Sequence, residues 1–180
     1  RMFDFVFQMF SHGHAAVPAL GMEEIPKQLA SQLPEESIIT NERVVSIHEN
    51  KAKTASGEEF EAKAILIATE PNELSNAYRA DLHDEHPRST TCLYFAMDTS
   101  IFSKPMLALN ALTDRLVNHF AVMSDVSYDY APIDKSLLSV SIIGIPMHSE
   151  TELIDAVRRE MSYWYGTHAY EWEFLKRYDI

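Results

Sequence analysis

The chain has 180 residues, of which 46% are hydrophobic, and 27 acidic against 15 basic side chains give a formal net charge of −12. That balance argues against a nucleic-acid binder, which needs clustered Lys and Arg, and no apolar run approaches the roughly 20 residues of a membrane-spanning helix. The lone Cys92 excludes an internal disulfide framework and fits a reducing compartment, so a cytoplasmic protein is expected.

Residues 1–11, RMFDFVFQMFS, place Met2, Phe3, Val6, Phe7 and Phe10 at helical spacing and predict a buried amphipathic helix. After the loop HGHAAVPALG, the stripe Met22, Ile25, Leu29 and Leu33 predicts a second helix that Pro34 closes. Glu23 and Glu24 sit at its electropositive end. Short strand signals follow at 37–40, 44–49, 51–54 and 59–62, with Ser56-Gly57 as the turn between the last two. Residues 64–68, Ala-Ile-Leu-Ile-Ala, form an unbroken apolar run stopped by Thr69 and Pro71. Such a run predicts a strand covered on both faces. Pro71 then opens a predicted helix over 71–78.

The polar stretch 79–89 reads as a crossing to a second region. There, 90–98, 115–125 and 135–144 are strand-like, and Leu138, Val140 and Ile142 alternate with Ser139 and Ser141. That pattern predicts an antiparallel sheet with one covered face. A helix follows, with Thr151 as N-cap, Gly166 at C′ and the stripe Leu153, Ile154, Val157, Met161 and Trp164. The segment from 169 to 180 alternates Tyr170, Trp172 and Phe174 with Glu171 and Glu173 and predicts a last strand. The layout is α+β, a small β-meander region followed by an antiparallel sheet with a flanking helix. The chain opens on Arg1 within a helical pattern and closes on Ile180 without a stop signal, so it is expected to be a piece of a longer protein.

Several clusters carry two readings. His12 and His14, or His83, Asp84 and His86, could ligate a metal, but neither set has the ligands of a structural zinc site, and solvated loop residues are the plainer reading. Cys92, inside an apolar strand, reads as a buried inert thiol rather than a nucleophile. Tyr163, Trp164, Tyr165, Tyr170 and Trp172 read as core packing, with a substrate-facing wall as the sharper alternative.

Read in order, a set of short motifs resembles the flavin-dependent amine oxidases, a family that includes protoporphyrinogen oxidases and phytoene desaturases. The motifs are Val17-Pro18-x-x-Gly21-Met22, Thr40-Asn41-x-x-Val44-x-x-Ile47, the Ser-Gly hairpin, and Ala64 to Thr69-x-Pro71. Further on come Leu107-x-Leu109-Asn110, Ser124-Asp125-Val126-x-x-x-Tyr130-Ala131-Pro132, Leu137-Leu138-Ser139-Val140-Ser141 and Trp172-x-x-Leu175. No one of these is specific; their order is.

The resemblance implies an FAD enzyme that removes a hydride from an amine or C–C substrate, a small apolar or amine compound held in an apolar cavity. Val44 would touch the adenine of FAD through its backbone, and Ala68, Thr69 and Pro71 would lie at the end of a neighbouring strand of the same sheet. Residues 1–78 would be a partial flavin-domain segment, with an N-terminal helix from the substrate region, and 87–180 the substrate domain, whose sheet would roof the cavity with specificity on its covered side. No catalytic residue transfers. The nucleotide-binding Gly-x-Gly-x-x-Gly is absent, since no two of the five glycines lie within three residues of each other. Most of the FAD site is thus expected outside this sequence, and the chain alone is expected to be colourless. The alternative is a non-enzymatic α+β module that binds an apolar ligand or a protein.

Overall fold

The computed structural model describes residues 2–13, 16–69, 78 and 88–180. It divides into two compact units, Arg1–Lys27 with Arg88–Ile180, and Gln28–Pro87. In chain order its elements begin with α1 (Met2–His12), α2 (Glu24–Ala30), β1 (Val44–His48), β2 (Lys51–Thr54) and β3 (Glu59–Glu61). The helix predicted over 71–78 lies outside the described residues, apart from Tyr78, as do His14, His83, Asp84 and His86.

Both early helices form, but several of the apolar residues that mark them are exposed. Phe7 of α1 is 68% exposed, and Met22, Ile25, Leu29 and Leu33 are all exposed. The helical period fixes where apolar side chains gather on a helix, not whether another element reaches them.

The smaller unit is a meander in the order β1-β2-β3. A two-residue turn joins β1 to β2, and Glu49 in it has a positive φ of 52°. The second turn places Gly57 at φ 95°, where a side chain would be strained, and the Gly57 N–H donates to the Thr54 carbonyl. Thr54 is the one buried side chain among the described residues of this unit. Residues 37–40 form no strand.

The run 64–68 departs from expectation as well. It carries no strand, and Leu66 is 90% exposed. A doubly covered strand needs hydrogen-bonded neighbours and two packed faces. Among the described residues no strand pairs with 64–68, and β2 is the one neighbour of β1. The expected adjacency of β1 and 64–68 in one sheet is therefore not formed.

The larger unit holds β4 (Thr90–Met97), β5 (Leu107–Leu109), β6 (His119–Val122), the single turn α3 (Met123–Val126), β7 (Ser136–Ile143), α4 (Glu150–Tyr165) and β8 (Glu173–Asp179). Its strands pair antiparallel in the order β5-β6-β7-β4-β8. Register places Leu93 opposite Val140, Phe95 opposite Leu138, and Phe120 opposite Val140. These side chains share one face and form a continuous core with Leu153, Val157 and Met161 of α4. The α+β architecture is thus the predicted one, with the alternation in β4 and β7 explained by a single helix-covered face.

The N-cap of α4 lies two residues before the predicted one. Ser149 is the N-cap, its hydroxyl accepting from the Glu152 N–H while the Glu152 carboxylate accepts from the Ser149 N–H, a reciprocal capping box. Buried Glu160, 8% exposed, accepts from the Leu116 N–H at 2.9 Å, the Val117 N–H at 3.3 Å and the Asn110 amide at 3.0 Å. One carboxylate thereby ties the β5–β6 loop to the helix.

Toward the opposite edge of the sheet, Asp179 accepts from the Thr91 hydroxyl at 2.7 Å and from the Arg177 guanidinium at 3.0 Å. Arg177 first and Thr91 second hold the Asp179 carboxyl below its ordinary 3.8. A lowered carboxylate adds stability that is full above the ordinary value and is lost as pH falls through the lowered one. Asp179→Asn should therefore lower the urea midpoint near neutral pH, with the gap to the unaltered chain closing well below pH 3.8. A gap constant across that range would mean that the ionised carboxylate is not what matters.

Candidate functional site

The edge of β1 follows from its hairpin register. Val44 opposes Thr54 and Ser46 opposes Lys53, so Val45 is an extra residue, a β-bulge. The Arg43 carbonyl accepts from the Ala55 N–H at 2.8 Å, which turns the next peptide N–H, that of Val44, away from β2. In extended backbone the Val44 carbonyl points the same way. Three residues on, the Ile47 carbonyl also faces outward and accepts from the Tyr78 hydroxyl. In a regular strand, residues two apart share an edge. The bulge lets Val44 and Ile47, three apart, share one.

Among the described residues no strand lies on that side of β1. Val44 thus offers a donor and an acceptor side by side on an open edge, with its side chain half-buried. The adenine edge of FAD presents one acceptor and one donor, and this main chain fits it. Asn41 precedes the strand at φ 61°, a left-handed position that Asn tolerates and most residues avoid. Ala68 and Thr69 are exposed and Pro71 lies outside the described residues; of the four residues expected at the cofactor, Val44 is the one that lies in a strand.

In the larger unit the two faces of the sheet differ sharply. On the helix face Leu93, Phe95, Leu138 and Val140 have no exposed surface, and rings from Phe120, Trp164, Tyr165 and Trp172 pack at centroid separations of 5.8 to 6.1 Å. Trp172 and Tyr165 are thus core residues, whereas Tyr163 and Tyr170 are exposed. That face is filled.

The opposite face has room. Across the strands, one row runs Leu107, Ala121, Ser139, Tyr94 and Lys176, and the next runs Leu109, His119, Ser141, Cys92 and Tyr178. Ala121, Ser139, Ser141 and Cys92 are small and make a trough. Leu107 and Leu109 bound it on one side, and on the other Tyr94 meets Tyr178 edge-on, at 5.9 Å and 87°. A depression of about 470 Å³ opens beside that pair, lined also by Leu137, Leu175 and Lys176. Cys92 is half-buried on this face with its Sγ 3.6 Å from the Ser141 hydroxyl, not in the core as expected. The inward-outward parity of β4, which depends on its pairing, decides this.

A second cleft of about 340 Å³ lies at the end of the sheet, where Lys135 pairs with Asp98 at 2.7 Å near Glu171, Glu173 and His168. Lys135 holds the Asp98 carboxyl below its ordinary value, but both groups are well exposed and such a pair adds little stability.

Three solved structures resemble the chain in fold, each covering 89% of it. They are a structural-genomics target protein from Pyrococcus furiosus (TM-score 0.62, 16% identity), a protein assigned as a protoporphyrinogen oxidase from Exiguobacterium sp. 255-15 (0.64, 16%) and a reduced UDP-galactopyranose mutase (0.59, 11%). The chain spans 42%, 38% and 38% of their lengths. No curated protein matches it in sequence. The family profile of flavin-containing amine oxidoreductases matches residues 2–177, nearly the whole chain, which therefore belongs to that family, whose cofactor is FAD.

Proposed function

We propose that the complete protein is an FAD-dependent oxidoreductase that takes a hydride from an amine or C–C substrate, with the open face of the five-stranded sheet as one wall of an apolar cavity. The observation that carries this reading is the free main-chain edge at Val44, a feature that an ordinary core valine would not need. Val44 would hold the adenine end through its N–H and C=O; Ala68, Thr69 and Pro71 stay assigned to the cofactor by resemblance alone. Bound FAD supplies the hydride acceptor, and the protein supplies position and a water-poor cavity. Specificity moves to the open face, because the covered face is closed by α4 with residues that have no exposed surface.

The test is the visible spectrum of the complete protein, followed by anaerobic addition of candidate amines. A yellow protein that bleaches with an amine is expected, and a colourless complete protein would overturn the proposal. Residues 1–180 alone are expected to stay colourless, since the glycine-rich turn that cradles the pyrophosphate is not among them.

A further inference from the structure

The walls of the trough differ chemically as well as in shape. The side formed by Leu107 and Leu109 is aliphatic. The side formed by Tyr94 and Tyr178 carries Lys176, whose ammonium lies 5.9 Å from the centre of the Tyr178 ring. That contact holds a cation beside an aromatic face without neutralising it. Among the described residues Lys176 forms no ion pair, and the other basic group of the face, His119, turns its Nδ1 to the Asn118 side-chain oxygen at 2.9 Å. On a chain of net charge −12 an anionic ligand is repelled nearly everywhere. An unpaired ammonium at the rim of an apolar depression is the place where a negative charge is accommodated.

We propose that the trough selects small ligands with a flat apolar body and a carboxylate, the body against Tyr94 and Tyr178 and the carboxylate on the Lys176 ammonium. This rests on the open face being the substrate wall. It adds what that reading lacks, a preference for acids over their neutral analogues. Leu137 and Leu175 complete the apolar lining beside the two rings.

The experiment uses the complete flavin-loaded protein and two probes, 4-phenylbutyrate and its amide, with binding read from the perturbation of the flavin spectrum at neutral pH. The acid is expected to bind about tenfold more tightly than the amide, the size of one charge-assisted hydrogen bond. Lys176→Gln should bring the two affinities together by weakening only the acid, and Lys176→Arg should restore the preference. Equal affinities in the unaltered protein, or an unchanged ratio in Lys176→Gln, would overturn the proposal. Ala121→Phe, which fills the floor, separates this from the underlying reading. If it weakens both probes equally, the face is the wall whatever Lys176 does. If it leaves both unchanged while Lys176→Gln removes the preference, the ammonium is the anion site and the trough is not the seat of the body.

Discussion

Glu160→Ala should lower the unfolding free energy of the larger unit by about 3–5 kcal/mol, because it strands several donors at once and each unsatisfied buried group costs about 1–3 kcal/mol. The Leu116 and Val117 N–H groups and the Asn110 amide all lose an acceptor. Asn110 keeps its bond to the Val117 carbonyl at 2.9 Å, so the loop loosens from α4 before it comes apart internally. Glu160→Gln should cost less, since one oxygen still accepts while the amide faces the remaining donors. Both tryptophans, Trp164 and Trp172, lie in this unit, so urea unfolding followed by their fluorescence reads the change directly. A loss below about 1 kcal/mol, the ordinary range of a surface substitution, would show that the clamp is idle.

Phe95→Ala should cost a similar amount, about 3–5 kcal/mol, through the cavity left in the sheet–helix core. Phe95 has no exposed surface and its ring meets Trp172 at 6.4 Å and Phe174 at 5.9 Å, with the Arg158 guanidinium 6.0 Å above it. The Trp172 ring lies against Phe95, so the loss should be accompanied by a change in the Trp172 emission. Phe95→Leu fills much of the space and should cost about 1–1.5 kcal/mol. If the alanine and leucine variants lose equal stability, void volume is not what governs the site.

What the sequence disclosed depended on whether a pattern was local. The central strands β4 and β7 could be read because each has one helix-covered face, and a two-residue period records that directly in Leu138, Val140 and Ile142. Strand β5 has three residues, too few to show a period, and β6 is hidden within the longer run 115–125 because apolar residues continue into the turn α3. The true N-cap was visible as Ser149-x-x-Glu152, the spacing of a capping box, though the later Thr151 looked equally suitable. Asn110 shows the opposite limit. It stands in a recognisable motif, but its partner Glu160 is 50 residues away, and nothing in either neighbourhood announces the pairing. The run 64–68 misled for a related reason. Apolar composition records what a segment needs, and the partners that would satisfy it belong to other parts of a sheet. At Val44, resemblance pointed to the residue, while the reason its backbone is available lay in a hairpin register that no residue count discloses.

The bulge in β1 bears on how such a motif should be read in any chain. In an even two-beat strand Val45 would front the rim and the Val44 amide would be spent on β2. A Val-x-x-Ile step shortly before a tight turn is therefore the linear trace of an out-of-phase rim, and the residue skipped by the pairing can vary without moving the groups that face outward. The count of residues between Val44 and the turn, more than the chemistry of the residue in between, sets which groups face this rim.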